Sequence, residues 1–328
     1  MSRVVGAILF AGVVLYGTFG GADFGAGFWD LTAGDARRGR RARALIDRAI
    51  APVWEANHVW LIFCLVVLWT AFPSAFAAIM TTMWVPLALA ALGIVLRGSG
   101  FAFRKLIVRP GEQRAAGAIF AVSSVITPFW FGTVAGGIAS GRVPGHGTGP
   151  YLNPTSLLGG ALAVTACSYL AAVFLAAEAR LRRADDLEAW FRHRAALAAA
   201  VAGGLAIAGV GVLRADAPRL FHRLLGPGLP LLVVSVGSGL AALLLLTKAD
   251  PRLVRLLAAT AVVSVLLGWG VAQYPDLLGT HLSLSAAAAP PATLRALTAL
   301  FVTAAVLCAP ALLLLYVLLE RGRLEVVR

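Results

Sequence analysis

The chain has 328 residues, 60% of them hydrophobic and only 13% charged, whereas a soluble domain carries about a quarter charged residues. That deficit runs the whole length, leaves no room for a separate soluble domain, and points to a protein that crosses a membrane many times. The net charge of +13 invites a nucleic-acid reading, but the basic residues fall between apolar runs on alternate sides, which argues against it.

Apolar runs of roughly 20 residues cross a hydrocarbon core of about 30 Å as helices. Nine such runs lie at 4–28, 54–72, 76–96, 116–139, 155–178, 195–213, 229–247, 254–273 and 297–319. The expected fold is therefore all-α and polytopic, one integral-membrane domain over 1–328. One Arg precedes the first run and six basic residues follow it, so it reads as a retained span rather than a signal peptide, which keeps its positive end inside. Counting Arg255 at the edge of the eighth run with its connection, alternate connections hold 22 Lys and Arg on one side and 6 on the other. That asymmetry places the N-terminus outside and the C-terminus in the cytoplasm. Basic clusters such as "RRGRRAR" (Arg37 to Arg43) then face anionic lipid headgroups.

The first run contains "GGADFGAGFWD" (Gly20 to Asp30). Gly17, Gly21 and Gly25 recur every four residues, as do Gly132 and Gly136 in the fourth run, and such stripes let helices approach closely in lipid. The acids Asp23 and Asp30 need a separate reason, because an ionisable group inside a membrane is costly. The second run opens with "APVWEANHVWL" (Ala51 to Leu61). There Glu55 and His58 stand three apart and share a helix face, flanked by Trp54, Asn57 and Trp60. The end of the first run and the start of the second lie on one side of the membrane, so Asp23, Glu55 and His58 are candidates for a proton pathway. A structural network that joins two helices is the other reading of the same acids.

Further along, "FPSA" (Phe72 to Ala75) predicts a tight turn, "GRVPGHGTGPYLNP" (Gly141 to Pro154) a turn-rich outer connection, and "YPDLLGTHLSLSAAAAPPATLR" (Tyr274 to Arg295) a partly helical one. Cys64, Cys167 and Cys308 lie far apart in apolar runs, with no CxxC or CxxCH motif, and read as packing residues. Of five histidines only His58 belongs to a run, and Met80 and Met83 are the internal methionines. A chain that held several haems would need more intramembrane ligands, so none is expected on this chain alone.

In order and spacing, "ADFGAGFWDL", "APVWEANHVWLI", "AFPSAFAAIM" and "LRGSGFAFR" resemble subunit II of cytochrome bd-type quinol oxidases, and the Tyr274 stretch resembles that family's late outer loop. The resemblance is strong over about residues 15–105. It implies two four-helix bundles plus a peripheral helix, and a heterodimer with a subunit I that carries haem b and haem d and binds quinol. It also implies a bacterial inner-membrane complex that reduces dioxygen to water and builds proton motive force. Two places depart from the family pattern: Gly20 stands where an acid is usual, and Trp54-Glu55-Ala56-Asn57 replaces Trp-Asp-Gly-Asn. The alternative reading is a secondary transporter with intramembrane carboxylates.

Overall fold

The computed structural model describes residues 1–34, 38–50, 54–106, 109–279 and 282–320, without the side chains of 50, 54–56, 104, 105, 110, 308, 309, 312, 315, 316 and 318–320. The first span runs unbroken from Ser2 to Leu31. It comprises α1 (Ser2–Leu15), a π-helical turn (Tyr16–Gly20) and α2 (Gly21–Leu31). A short helix, α3 (Arg40–Ile50), follows where the sequence predicts only a basic connection. It buries Ala42, Leu45 and Ile46 and exposes Arg40, Arg41 and Arg48, which is the one-sided pattern of an amphipathic helix.

The second span is α4 (Trp54–Ala71). At Phe72 the chain bends by 118° into α5 (Pro73–Thr82), as the "FPSA" stretch predicts. After a break at Met83 comes α6 (Trp84–Leu106), then α7 (Pro110–Ala139), α8 (Pro154–Leu181) and α9 (Asp185–Asp216). A second bent pair, α10 (Pro218–Leu225) and α11 (Leu229–Leu245), turns by 74°. α12 (Pro251–Gln273) and α13 (Pro291–Glu320) complete the helices. Proline occupies the first turn of α5, α7, α8, α10 and α12, where its missing N–H costs nothing.

Six helices are long and apolar enough to cross a membrane alone, and the two bent pairs raise this to eight. α13, where the ninth span was expected, contributes the apolar described stretch Pro291–Leu307. Large apolar side chains stand exposed on the outer faces, among them Trp69, Trp84, Ile207 and Leu244, as lipid-facing helices require.

The stretch Tyr274 to Arg295 is helical only from Pro291, where α13 begins, among its described residues, and β1 (Asp276–Leu278) and β2 (Leu282–Ser283) pair antiparallel before it. Arg97, expected in a connection because the third apolar run ends at Leu96, instead lies inside α6 and is 2% exposed. The helix continues past it because neighbouring helices cover the charge.

α8 packs on α2, α7, α9 and α12, α6 on α7, α11 on α12, and α1 on α4, while α13 leans on α1 and α4. Glycines set the closest approaches. A Cβ on Gly25 would overlap the backbone carbonyl of Cys167 in α8, and one on Gly132 would overlap that of Gly159. A Cβ on Gly21 would lie 3.4 Å from the Cys167 sulfur. The indole Nε1 of Trp29 then donates to the Ser168 carbonyl at 2.8 Å, fastening α2 along α8.

Candidate functional site

The site is assembled where α2, α6 and α7 meet. Asp23 sits in the first turn of α2 and is 4% exposed. Arg97 of α6 reaches it, with Nη2 2.7 Å from Asp23 Oδ1 and 3.3 Å from the Asp23 carbonyl oxygen. Its Nε donates to Ser124 Oγ on α7 at 2.9 Å, and the Ser124 hydroxyl donates in turn to the Phe120 carbonyl at 2.6 Å. The guanidinium lies between two rings, 4.9 Å from the Phe24 centroid and 5.0 Å from that of Phe120.

Side-chain chemistry accounts for these contacts. A planar guanidinium both forks to a carboxylate and stacks on aromatic faces, which a lysine ammonium does not do. Small residues admit it: a Cβ at Gly27 would overlap the Ser124 side chain, and one at Gly100 would crowd the backbone of Ala116 and Phe120. The pair is therefore sealed on every side by helix. Removing one partner of such a pair leaves an uncompensated buried charge.

The start of α4 docks on the same segment. Asn57 is buried and its Nδ2 donates to the Phe19 carbonyl at 3.3 Å, inside the π-helical turn. The His58 ring is half-buried, with its centroid 6.2 Å from that of Phe24. His58 thus reaches the turn that holds Asp23. The side chains of Trp54 and Glu55 lie outside the described residues. Trp60 packs edge-on to Phe63, ring centroids 6.2 Å apart. Asp30 is not brought to Asp23: its Oδ1 accepts from Arg43 Nε of α3 at 2.8 Å, so it ties the end of α2 to the amphipathic helix.

Sequence reading missed Arg97 and Ser124 as site residues. The available signal was one arginine among glycines directly after an apolar run, inside the quoted "LRGSGFAFR" stretch. Another polar assembly lies just past the C-terminal end of α7. There Asp216 at the end of α9 accepts from Arg142 Nη2 at 2.6 Å and from the Thr155 hydroxyl at 2.6 Å. A cavity of about 200 Å³ beside it is lined by Ser140, Asp216, Arg219 and Gln273. Among the described residues no cluster of three His, Cys, Asp or Glu is placed to hold a metal ion.

This architecture defines a multi-pass helical membrane protein with a buried ion pair fixed between its first and third spans. A family model described as cytochrome bd terminal oxidase subunit II matches residues 1–319. Cytochrome bd-I ubiquinol oxidase subunit 2 of Escherichia coli (strain K12) is 30% identical over 219 residues, 62% of this chain and 56% of that protein. Cytochrome bd ubiquinol oxidase subunit 2 of Bacillus subtilis (strain 168) is 26% identical over 189 residues, 56% of this chain and 53% of that protein. In these matches the chain spans about half the length of the curated relatives. The bd oxidase structure from Geobacillus thermodenitrificans shares the fold, with a TM-score of 0.78 and 22% identity over 97% of this chain and 98% of that one. The chain belongs to the cytochrome bd terminal oxidase subunit II family.

Proposed function

We propose that this chain is the subunit II of a cytochrome bd-type quinol:oxygen oxidoreductase, supports a subunit I that holds haem b and haem d, and supplies a cytoplasmic proton-uptake route through Glu55. The family match across residues 1–319 is the observation that carries the oxidase reading. The transporter alternative is not favoured, because the same match is to an oxidase subunit.

The residues of this chain fit a supporting role better than a haem site. The His58 ring lies against Phe24, and the fully buried Met83 packs towards Gly137 of α7. The haems supply the reduction of dioxygen to water, and that reaction consumes protons. Glu55 stands one turn of α4 from His58, at the helix start that docks on the Asp23 turn. From there it takes protons from the cytoplasm, while the Asp23–Arg97 pair fixes the local field. Taking protons from that side separates charge across the membrane.

Purification in mild detergent tests the assembly. A co-purifying haem protein with quinol-dependent oxygen uptake supports the oxidase, whereas solute uptake by the chain alone supports a transporter. Within the complex, Glu55→Gln keeps shape and hydrogen bonding but cannot carry a proton. It is expected to slow quinol oxidation or weaken gradient formation while haem content stays unchanged. Full turnover across pH in an intact Glu55→Gln complex would place the proton route in the partner.

The same reading puts the N-terminus outside and the C-terminus in the cytoplasm. With Arg97 inside α6, the basic side loses one residue, and its excess over the other side remains large. A reporter fused after Arg328 is expected to be active only if it works in the cytoplasm. A periplasmic reporter active at that position would mean that the span count has the wrong parity.

A further inference from the structure

Two polar atoms in the first span have no hydrogen-bond partner among the described residues although both are sealed from solvent: the Tyr16 hydroxyl and Asp23 Oδ2. Asp23 Oδ1 is committed to Arg97, so its second oxygen is a separate demand. Buried carboxylate and hydroxyl oxygens are rarely left unpaired, and ordered water is the usual partner where protein supplies none.

Their placement brings the two demands towards each other. Tyr16 opens the π-helical turn and Asp23 lies seven residues on, in the first turn of α2. Between them stands Gly20, and a Cβ there would be 3.0 Å from Tyr16 Cε2. The tyrosine ring therefore lies against Gly20, three residues before Asp23. Phe24 and Phe131 hold it edge-on, with ring centroids 6.4 and 5.9 Å away. Arg97 and Asp23 are both near enough to act on the hydroxyl electrostatically. π-Helical turns inside α-helices are frequent at functional sites, and this one carries both the tyrosine and the carbonyl that Asn57 binds.

We propose that the Tyr16 hydroxyl and Asp23 Oδ2 together hold a buried ordered water, making Tyr16 a positioning residue for the Asp23–Arg97 pair. The hydroxyl donates to the water and the water donates to Oδ2. The carboxylate is then satisfied on both oxygens and keeps the orientation that Arg97 requires. This deepens the proton-route reading and rests on it only for any effect on turnover. The water itself does not depend on it.

The test uses the assembled complex purified from the membrane. A cryo-EM map that resolves ordered water is expected to show density within hydrogen-bond distance of both oxygens, and Tyr16→Phe, which keeps the ring, is expected to lose it. Infrared difference spectra of wild type against Tyr16→Phe, with and without ¹³C-carboxyl aspartate, report on the carboxylate directly. An aspartate band that moves with the substitution supports the water link, because loss of packing alone would leave it in place. Absence of density between the two oxygens, Oδ2 bonded to a protein group, or an unmoved aspartate band overturns the proposal. Full turnover of Glu55→Gln would sink the proton route while leaving density and band shift intact, so the two failures are distinguishable.

Discussion

Asp23→Leu is expected to prevent stable assembly, at a cost of about 3–5 kcal/mol, the range for removing one partner of a buried ion pair. The substitution strands Arg97, whose guanidinium is surrounded by Phe24, Phe120 and Ser124 and has no route to neutrality, since arginine does not deprotonate in proteins. Arg97→Met should be milder, because a stranded carboxylic acid can take up a proton and a guanidinium cannot lose one. The double variant Asp23→Leu/Arg97→Met should recover much of the loss, as buried pairs replaced by apolar residues of similar volume are often neutral or stabilising. Complex yield and thermal unfolding in detergent across the four-member cycle check this. A double variant that loses the sum of the two single losses would show that the two residues do not act as a pair.

Gly25→Ala should be the next most damaging single change, although it adds one methyl group. Its Cβ would overlap the backbone carbonyl of Cys167, and a backbone atom cannot swing aside as a side-chain end can. α2 and α8 must separate, which also lengthens the Trp29 to Ser168 hydrogen bond, now 2.8 Å. Forced overpacking costs about 1–3 kcal/mol, well above the helix preference of alanine over glycine, about 0.5–1 kcal/mol. Gly204→Ala in α9 is the control of opposite sign. No atom lies within 4 Å of a Cβ built there, so the preference alone should act and the unfolding temperature should rise slightly. A neutral Gly25→Ala would mean that the α2–α8 contact is looser than described.

The sequence by itself determined that the chain is helical and crosses a membrane many times. In lipid every backbone polar group must be satisfied within its own helix, so an apolar run of sufficient length is a local and nearly complete instruction. The same locality made Asp23 legible, since a charge in an apolar run is costly wherever the run ends up. Gly25 was legible too, because a stripe of small residues marks a close approach even before its partner is known.

Which helix supplied that partner was not legible, and only the tertiary structure decided it. Arg97 stands 74 residues from Asp23 and one residue beyond the third apolar run, where a count along the chain assigns it to a cytoplasmic connection. Its true environment depends on α2 and α7 closing over it, and no window along α6 contains them. The fate of Asp30 was decided the same way. It lies in the same motif as Asp23, yet it pairs with Arg43 of α3 and ties off a helix end. Two carboxylates seven residues apart on one helix thus take different roles because charge is compensated across helices, by whichever cation the packing delivers.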